Sequence, residues 1–89
     1  MKELLKYLVE FLGTFIYLSV IITTENPIAI GITLTAAIYF AQKISEAHYN
    51  PAVNLMMYLD NKITIKELVL ETIVQLLGAI AAYMYYKAV

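Results

Sequence analysis

Asn50-Pro51-Ala52-Val53-Asn54-Leu55-Met56-Met57-Tyr58-Leu59 is the stretch on which the reading of this chain turns. Asparagine is a favoured N-cap and proline a favoured first helical residue, so the pair specifies a helix start at Asn50. Nine or so residues at a ~1.5 Å rise reach only about half-way across a ~30 Å hydrocarbon layer. A short helix near residues 51–59, between long apolar runs, is therefore expected to be a re-entrant half-helix. Such a shape is tolerated only where the backbone is buried in protein or lines a watery cavity. The plainer alternative is that Asn50-Pro51 caps a surface helix.

Three apolar runs surround this segment, Tyr7 to Thr24, Pro27 to Gln42 and Leu68 to Tyr86. Of the 89 residues, 62% are hydrophobic and 15% charged, against roughly 45–50% and about 25% in ordinary globular domains. A soluble chain of this length cannot hide so much apolar surface in one core, so a membrane or partners must cover the rest. Each run falls slightly short of the roughly 20 residues of a typical span, and Glu10 and Glu71 interrupt two of them, which leaves a buried soluble bundle as the competing reading. Small and hydroxylated residues within the runs, among them Gly13, Thr14, Ser19, Gly31, Thr33, Thr35, Gly78 and Ala79, favour helices packed in a bilayer. Spanning helices are expected near residues 5–24, 27–43 and 64–87.

Punctuation is sparse. Glu25-Asn26-Pro27 makes a tight connection with Pro27 in the first turn of the second helix. Asp60-Asn61-Lys62 is a second polar break, and Thr64 with Glu67 has the spacing of a capping box. No linker divides the chain, and residues 1–89 are expected to form a single all-α membrane domain. Lys2 and Lys6 precede an apolar stretch as in a signal peptide, yet Glu10 interrupts it and no small-residue cleavage pattern follows, so a retained first helix is expected.

Six lysines, no arginine and seven acids give a net charge of -1, with none of the basic striping that nucleic-acid binding requires. Cysteine is absent and histidine occurs once, at His48, so neither a disulfide framework nor a thiolate metal site is available. No clustered catalytic pair supports an enzyme, and no metal or cofactor is expected. Met56, Met57, Tyr58, Tyr83, Tyr85 and Tyr86 read as packing and interfacial residues.

Four segments together carry a resemblance. Ser45-Glu46-Ala47-His48-Tyr49-Asn50-Pro51-Ala52-Val53 resembles the SGxHxNPAV motif in the first half of the major intrinsic proteins, the aquaporins and glycerol facilitators, departing at Glu46, where the family usually has glycine. Glu10-Phe-Leu-Gly-Thr14 is similar to the family's first-helix EFLGT, and Ala29-Ile-Gly31 to a second-helix triplet. Gln75-Leu-Leu-Gly78-Ala-Ile80 is similar to its third-helix Q-x-x-G-A-I. The resemblance implies a single aquaporin-type repeat: three transmembrane helices plus one re-entrant half-helix, the first of the family's two inverted halves.

Asn50, Pro51 and Ala52 then acquire roles. A half-helix starting at Asn50 turns its unpaired N–H groups and the positive end of its dipole towards the membrane midplane, a field that disfavours cations and protons. On the resemblance, Asn50 donates its side-chain NH₂ to water or a polyol hydroxyl, Pro51 starts the helix, and Ala52 is the small residue at the meeting point. Glu10 and Gln75, polar groups inside apolar runs, are implied to hold the re-entrant loop, the alternative being glue between helices. His48 reads as a hydrogen-bonded loop residue or as a pH gate. Ile30, twenty residues before Asn50, occupies a constriction position where many water-selective members have an aromatic, which implies a less water-restricted opening. Glu71 lies one turn before Gln75, where the family pattern has no acid, and its role stays open.

A family pore needs two inverted halves, and this chain contains one Asn-Pro-Ala and no arginine for a selectivity filter. The expected partners are the lipid bilayer, water or a small neutral solute, and a homo- or hetero-oligomeric complementary half. With a cytoplasmic N-terminus, Lys2, Lys6, Lys43, Lys62 and Lys66 fall inside and Lys87 outside, a bias that argues against an antiparallel homodimer. Two classes remain: a channel subunit for water or small neutral solutes, and a non-conducting membrane interaction protein or truncated remnant.

Overall fold

The computed structural model describes residues 2–89; Met1, the first residue of the expected 1–89 unit, lies outside them. Four helices follow in chain order: α1 (Lys2–Thr24), α2 (Pro27–Ala41), α3 (Pro51–Leu59) and α4 (Ile65–Ala88). Each start has a local cause. The Asn26 side chain accepts from the N–H groups of Ile28 and Ala29, with Pro27 behind it at the first helical position. Thr64 and Glu67 close a full capping box at the head of α4.

Boundaries differ from expectation by at most a turn. α1 begins three residues earlier than residue 5, with Glu3 in its first turn suiting the positive end of the helix dipole. α2 stops at Ala41, two residues early, because Ile44 and Ser45 both turn their N–H groups back to the Ala41 carbonyl and lead the chain inward.

α1 packs along α4 and against α2, while α3 packs on α4. Contacts from Lys66 to Glu3 and from Lys6 to Glu67 set the beginnings of α1 and α4 side by side, so these two helices run parallel. Gly78 permits their close crossing, since a Cβ there would lie 3.0 Å from the Phe11 carbonyl oxygen and 3.2 Å from the Phe15 nitrogen. Phe15 and Tyr85 meet edge to face, 6.1 Å between ring centres, further along the same seam.

Polarity runs inside out. The largest fully buried side chains are Gln75, Glu10, Glu71, Asn54 and Thr14, whereas Phe40 is 87% exposed, Ile28 71% and Leu59 70%. The competing picture of a closed soluble bundle would require the reverse, because burying polar groups costs free energy that apolar burial must offset. α1 and α4 are both long and apolar enough to cross a membrane.

Candidate functional site at the head of α3

Asn50 adopts an extended backbone, and its side-chain oxygen accepts the Ala52 N–H at 2.8 Å. That bond satisfies one of the orphan donors of the first turn. It turns the amide oxygen towards the helix, and no hydrogen bond among the described residues occupies the exposed NH₂. Ala52 is exposed and Pro51 half-buried beside it. A cavity of about 310 Å³ opens here, flanked by Asn50, Pro51, Thr14, Tyr17, Gln75 and Ala79.

The segment leading into Asn50 is strained. Ala47 and Tyr49 hold positive φ angles of 55° and 54° without being glycine, a conformation that costs about 1–2 kcal/mol per residue. Glu10 offsets that cost from α1. Its Oε2 accepts the His48 N–H at 3.2 Å and its Oε1 the Tyr49 N–H at 3.0 Å. The Tyr49 hydroxyl donates to the Ala37 carbonyl at 2.8 Å, and burial pushes this phenol's pKa up to about 12, keeping it a donor. Gly13 makes room: a methyl at that position would overlap the Tyr49 ring.

Behind the loop, side chains from three helices interlock. Gln75 Nε2 donates to Glu10 Oε1 at 3.1 Å and to Asn54 Oδ1 at 3.2 Å, while Gln75 Oε1 accepts from Asn54 Nδ2 at 2.6 Å. Asn54 Nδ2 also reaches Thr72 Oγ1 at 3.2 Å. His48 Nδ1 faces Asn54 Oδ1 at 3.0 Å and Glu71 Oε1 at 2.9 Å. Both are acceptors, so Nδ1 carries the proton. The hydrogen bond that His48 donates to Glu71 raises the His48 pKa above its ordinary value against the opposing effect of burial.

One end of this network is charged. Lys6 Nζ lies 3.3 Å from Glu46 Oε1 and 3.7 Å from Glu71 Oε2 and bonds Glu67. These contacts place the end of the loop's approach, the start of α1 and the start of α4 at the same level. Gly13 against Tyr49, by contrast, puts the head of α3 level with the middle of α1. α3 therefore starts at mid-height and returns to the end from which the loop came.

Of the residues singled out from sequence, Glu10, His48 and Gln75 come together beneath Asn50-Pro51-Ala52. Ile30 does not join them; it is half-buried near the start of α2, at the far end of the molecule. Asn54, Thr72 and Lys6 were not singled out. Asn54 had a signal, a lone amide within an apolar helix one turn after Asn50, and Glu71 had the matching one-turn spacing to Gln75.

The family model described as "Major intrinsic protein" matches residues 1–89. The "Glycerol uptake facilitator protein-like 6" of Lactiplantibacillus plantarum is 36% identical over 92 residues, covering 93% of this chain. The chain spans 43% of that relative's length. No solved structure matches.

Proposed function

Since the chain belongs to the major intrinsic protein family, we propose that it supplies one half of a passive channel for water or small neutral solutes. In this reading α1, α2 and α4 span the membrane, α3 is the re-entrant half-helix, and residues 1–89 act as one repeat beside a complementary half. The observation that carries it is the exposed Asn50 amide, beside a cavity and level with the middle of α1, on a helix start held from beneath by buried Glu10 and Gln75. A donor fixed at mid-membrane can replace a solute's lost water contacts, and the dipole behind it repels cations.

The roles follow residue by residue. Asn50 donates to the passing oxygen, Pro51 sets the helix start and Ala52 leaves space at the midplane. Glu10, His48 and Gln75 support the loop, and Ile30 sits at the constriction. A glycerol facilitator-like relative and an aliphatic Ile30 both favour a small polyol alongside water. In the same reading the N-terminus is cytoplasmic, which the lysine bias favours.

Stopped-flow swelling of vesicles tests this reading, using the chain alone and then with candidate complementary halves. Water or polyol flux is expected only in the assembly. Asn50→Ala is expected to lower that flux while losing only a cap contribution of about 0.5–2 kcal/mol in stability. Flux in no assembly would favour the non-conducting interaction protein.

A further inference from the structure

The charged end of the network departs from the family pattern at two acids, Glu46 in the loop and Glu71 on α4. We propose that Glu10, Glu46 and Glu71 form a binding site for one hard divalent cation of the size of calcium, where the loop ahead of α3 meets α1 and α4. Each of the three offers a carboxylate oxygen, and these oxygens lie within 4.8 Å of one another. Calcium takes oxygens at about 2.3–2.6 Å, so ligands on opposite sides of it stand up to about 5 Å apart. Magnesium, at about 2.0–2.1 Å, requires the three to contract.

A second observation points to a ligand. Glu71 is 0% exposed, and its Oε2 has no hydrogen-bond partner. An acceptor-only oxygen so buried is costly unless a cation or donor meets it. The nearest cation is Lys6 Nζ at 3.7 Å, which Glu46 and Glu67 share. Glu46, Glu67 and Glu71 thus gather round one ammonium, with a Glu10 oxygen within 4.8 Å of those of Glu46 and Glu71, and across these four acids even a protonated His48 leaves two negative charges in excess. One divalent cation removes that excess.

The route in is open, since the Glu46 side chain is 37% exposed. On binding, Lys6 gives up Glu46 and Glu71 and stays with Glu67. Glu10 keeps its three N–H donors, because each carboxylate oxygen has a second lone pair and Oε2 uses only one. The ion then ties the loop ahead of α3 to α1 and α4, stiffening the approach to Asn50. Binding here does not depend on solute flux.

Calorimetric titration of the chelator-treated full chain in detergent with calcium chloride, alongside thermal melts followed by circular dichroism, tests the site. One calcium per chain is expected, with magnesium at least about tenfold weaker and a melting temperature that rises with calcium. Glu71→Gln keeps the shape and an acceptor for His48 and is expected to abolish saturable binding. Glu46→Gln, on the exposed loop, is expected to weaken it at least about tenfold, and carries the test should Glu71→Gln fail to fold. Glu3→Gln, which touches only the surface pair with Lys66, is expected to bind like the parent. Absence of saturable binding by the parent up to about millimolar calcium, or equal binding by Glu46→Gln, overturns the proposal.

Discussion

Asn54 and Gln75 form a reciprocal amide pair, each side chain both donating to and accepting from the other, with both residues at most 1% exposed. This pair joins the half-helix α3 to α4 at the point where Glu10 reaches across from α1. Removing either amide leaves buried donors and acceptors without partners, at about 1–3 kcal/mol. Asn54→Ala and Gln75→Ala should each lower the melting temperature of the chain in detergent. The double variant should lose less than the sum, with a coupling energy of about 0.5–3 kcal/mol. Strict additivity would mean that the pair does not form.

Glu10 is expected to matter more for folding than any pore-facing residue. Its carboxylate accepts two backbone N–H groups and the Gln75 amide, and Glu10→Ala orphans all three in a buried place. The cost is at least about 1–3 kcal/mol, and the strained Tyr49 backbone loses its restraint as well. Folded yield should fall before any transport is measured. Glu10→Gln, with one acceptor oxygen retained, should fall between the parent and alanine on the same assay.

Two glycines make a contrasting pair. A methyl at Gly13 collides with the Tyr49 ring, itself fixed at its hydroxyl and its N–H, while nothing lies within 4 Å of a Cβ at Gly31. Gly13→Ala should therefore destabilise the isolated chain by about 1–3 kcal/mol, and Gly31→Ala should leave its melting temperature unchanged or slightly raised. Thermal melts of the two variants side by side decide the matter.

Much of the fold was legible because helix starts are local events. Asn26-Pro27, Asn50-Pro51 and Thr64 with Glu67 lie within four residues of the N–H groups they satisfy, and all three open helices where their chemistry says they should. The network beneath Asn50 was legible only in part. Glu10 and Gln75 stand 65 positions apart, and Lys6 and Glu67 are separated by 61. Helical periodicity reveals which face a residue occupies, not which distant residue it meets. The left-handed Ala47 and Tyr49 were invisible for a different reason: neither is glycine, and while Ala47 bonds locally to the Ser45 hydroxyl, Tyr49 is held by Glu10 from the distant α1.

Orientation is open to a direct check. If the N-terminus and Lys62 face the cytoplasm, as the lysine bias implies, a reporter fused before Lys2 should be active only inside and one fused after Val89 only outside. Equal signal on both sides would revive the antiparallel homodimer.

The central claim is that α3 enters and leaves the bilayer at one face with Asn50 at its turning point, and cysteine accessibility in sealed vesicles tests it most directly. The chain has no native cysteine, so single replacements report without background. Lys43→Cys and Tyr58→Cys should react with a membrane-impermeant reagent from the same side, and Glu25→Cys only from the other. Labelling of Tyr58→Cys from the side of Glu25 would make α3 a full crossing and contradict the half-channel account.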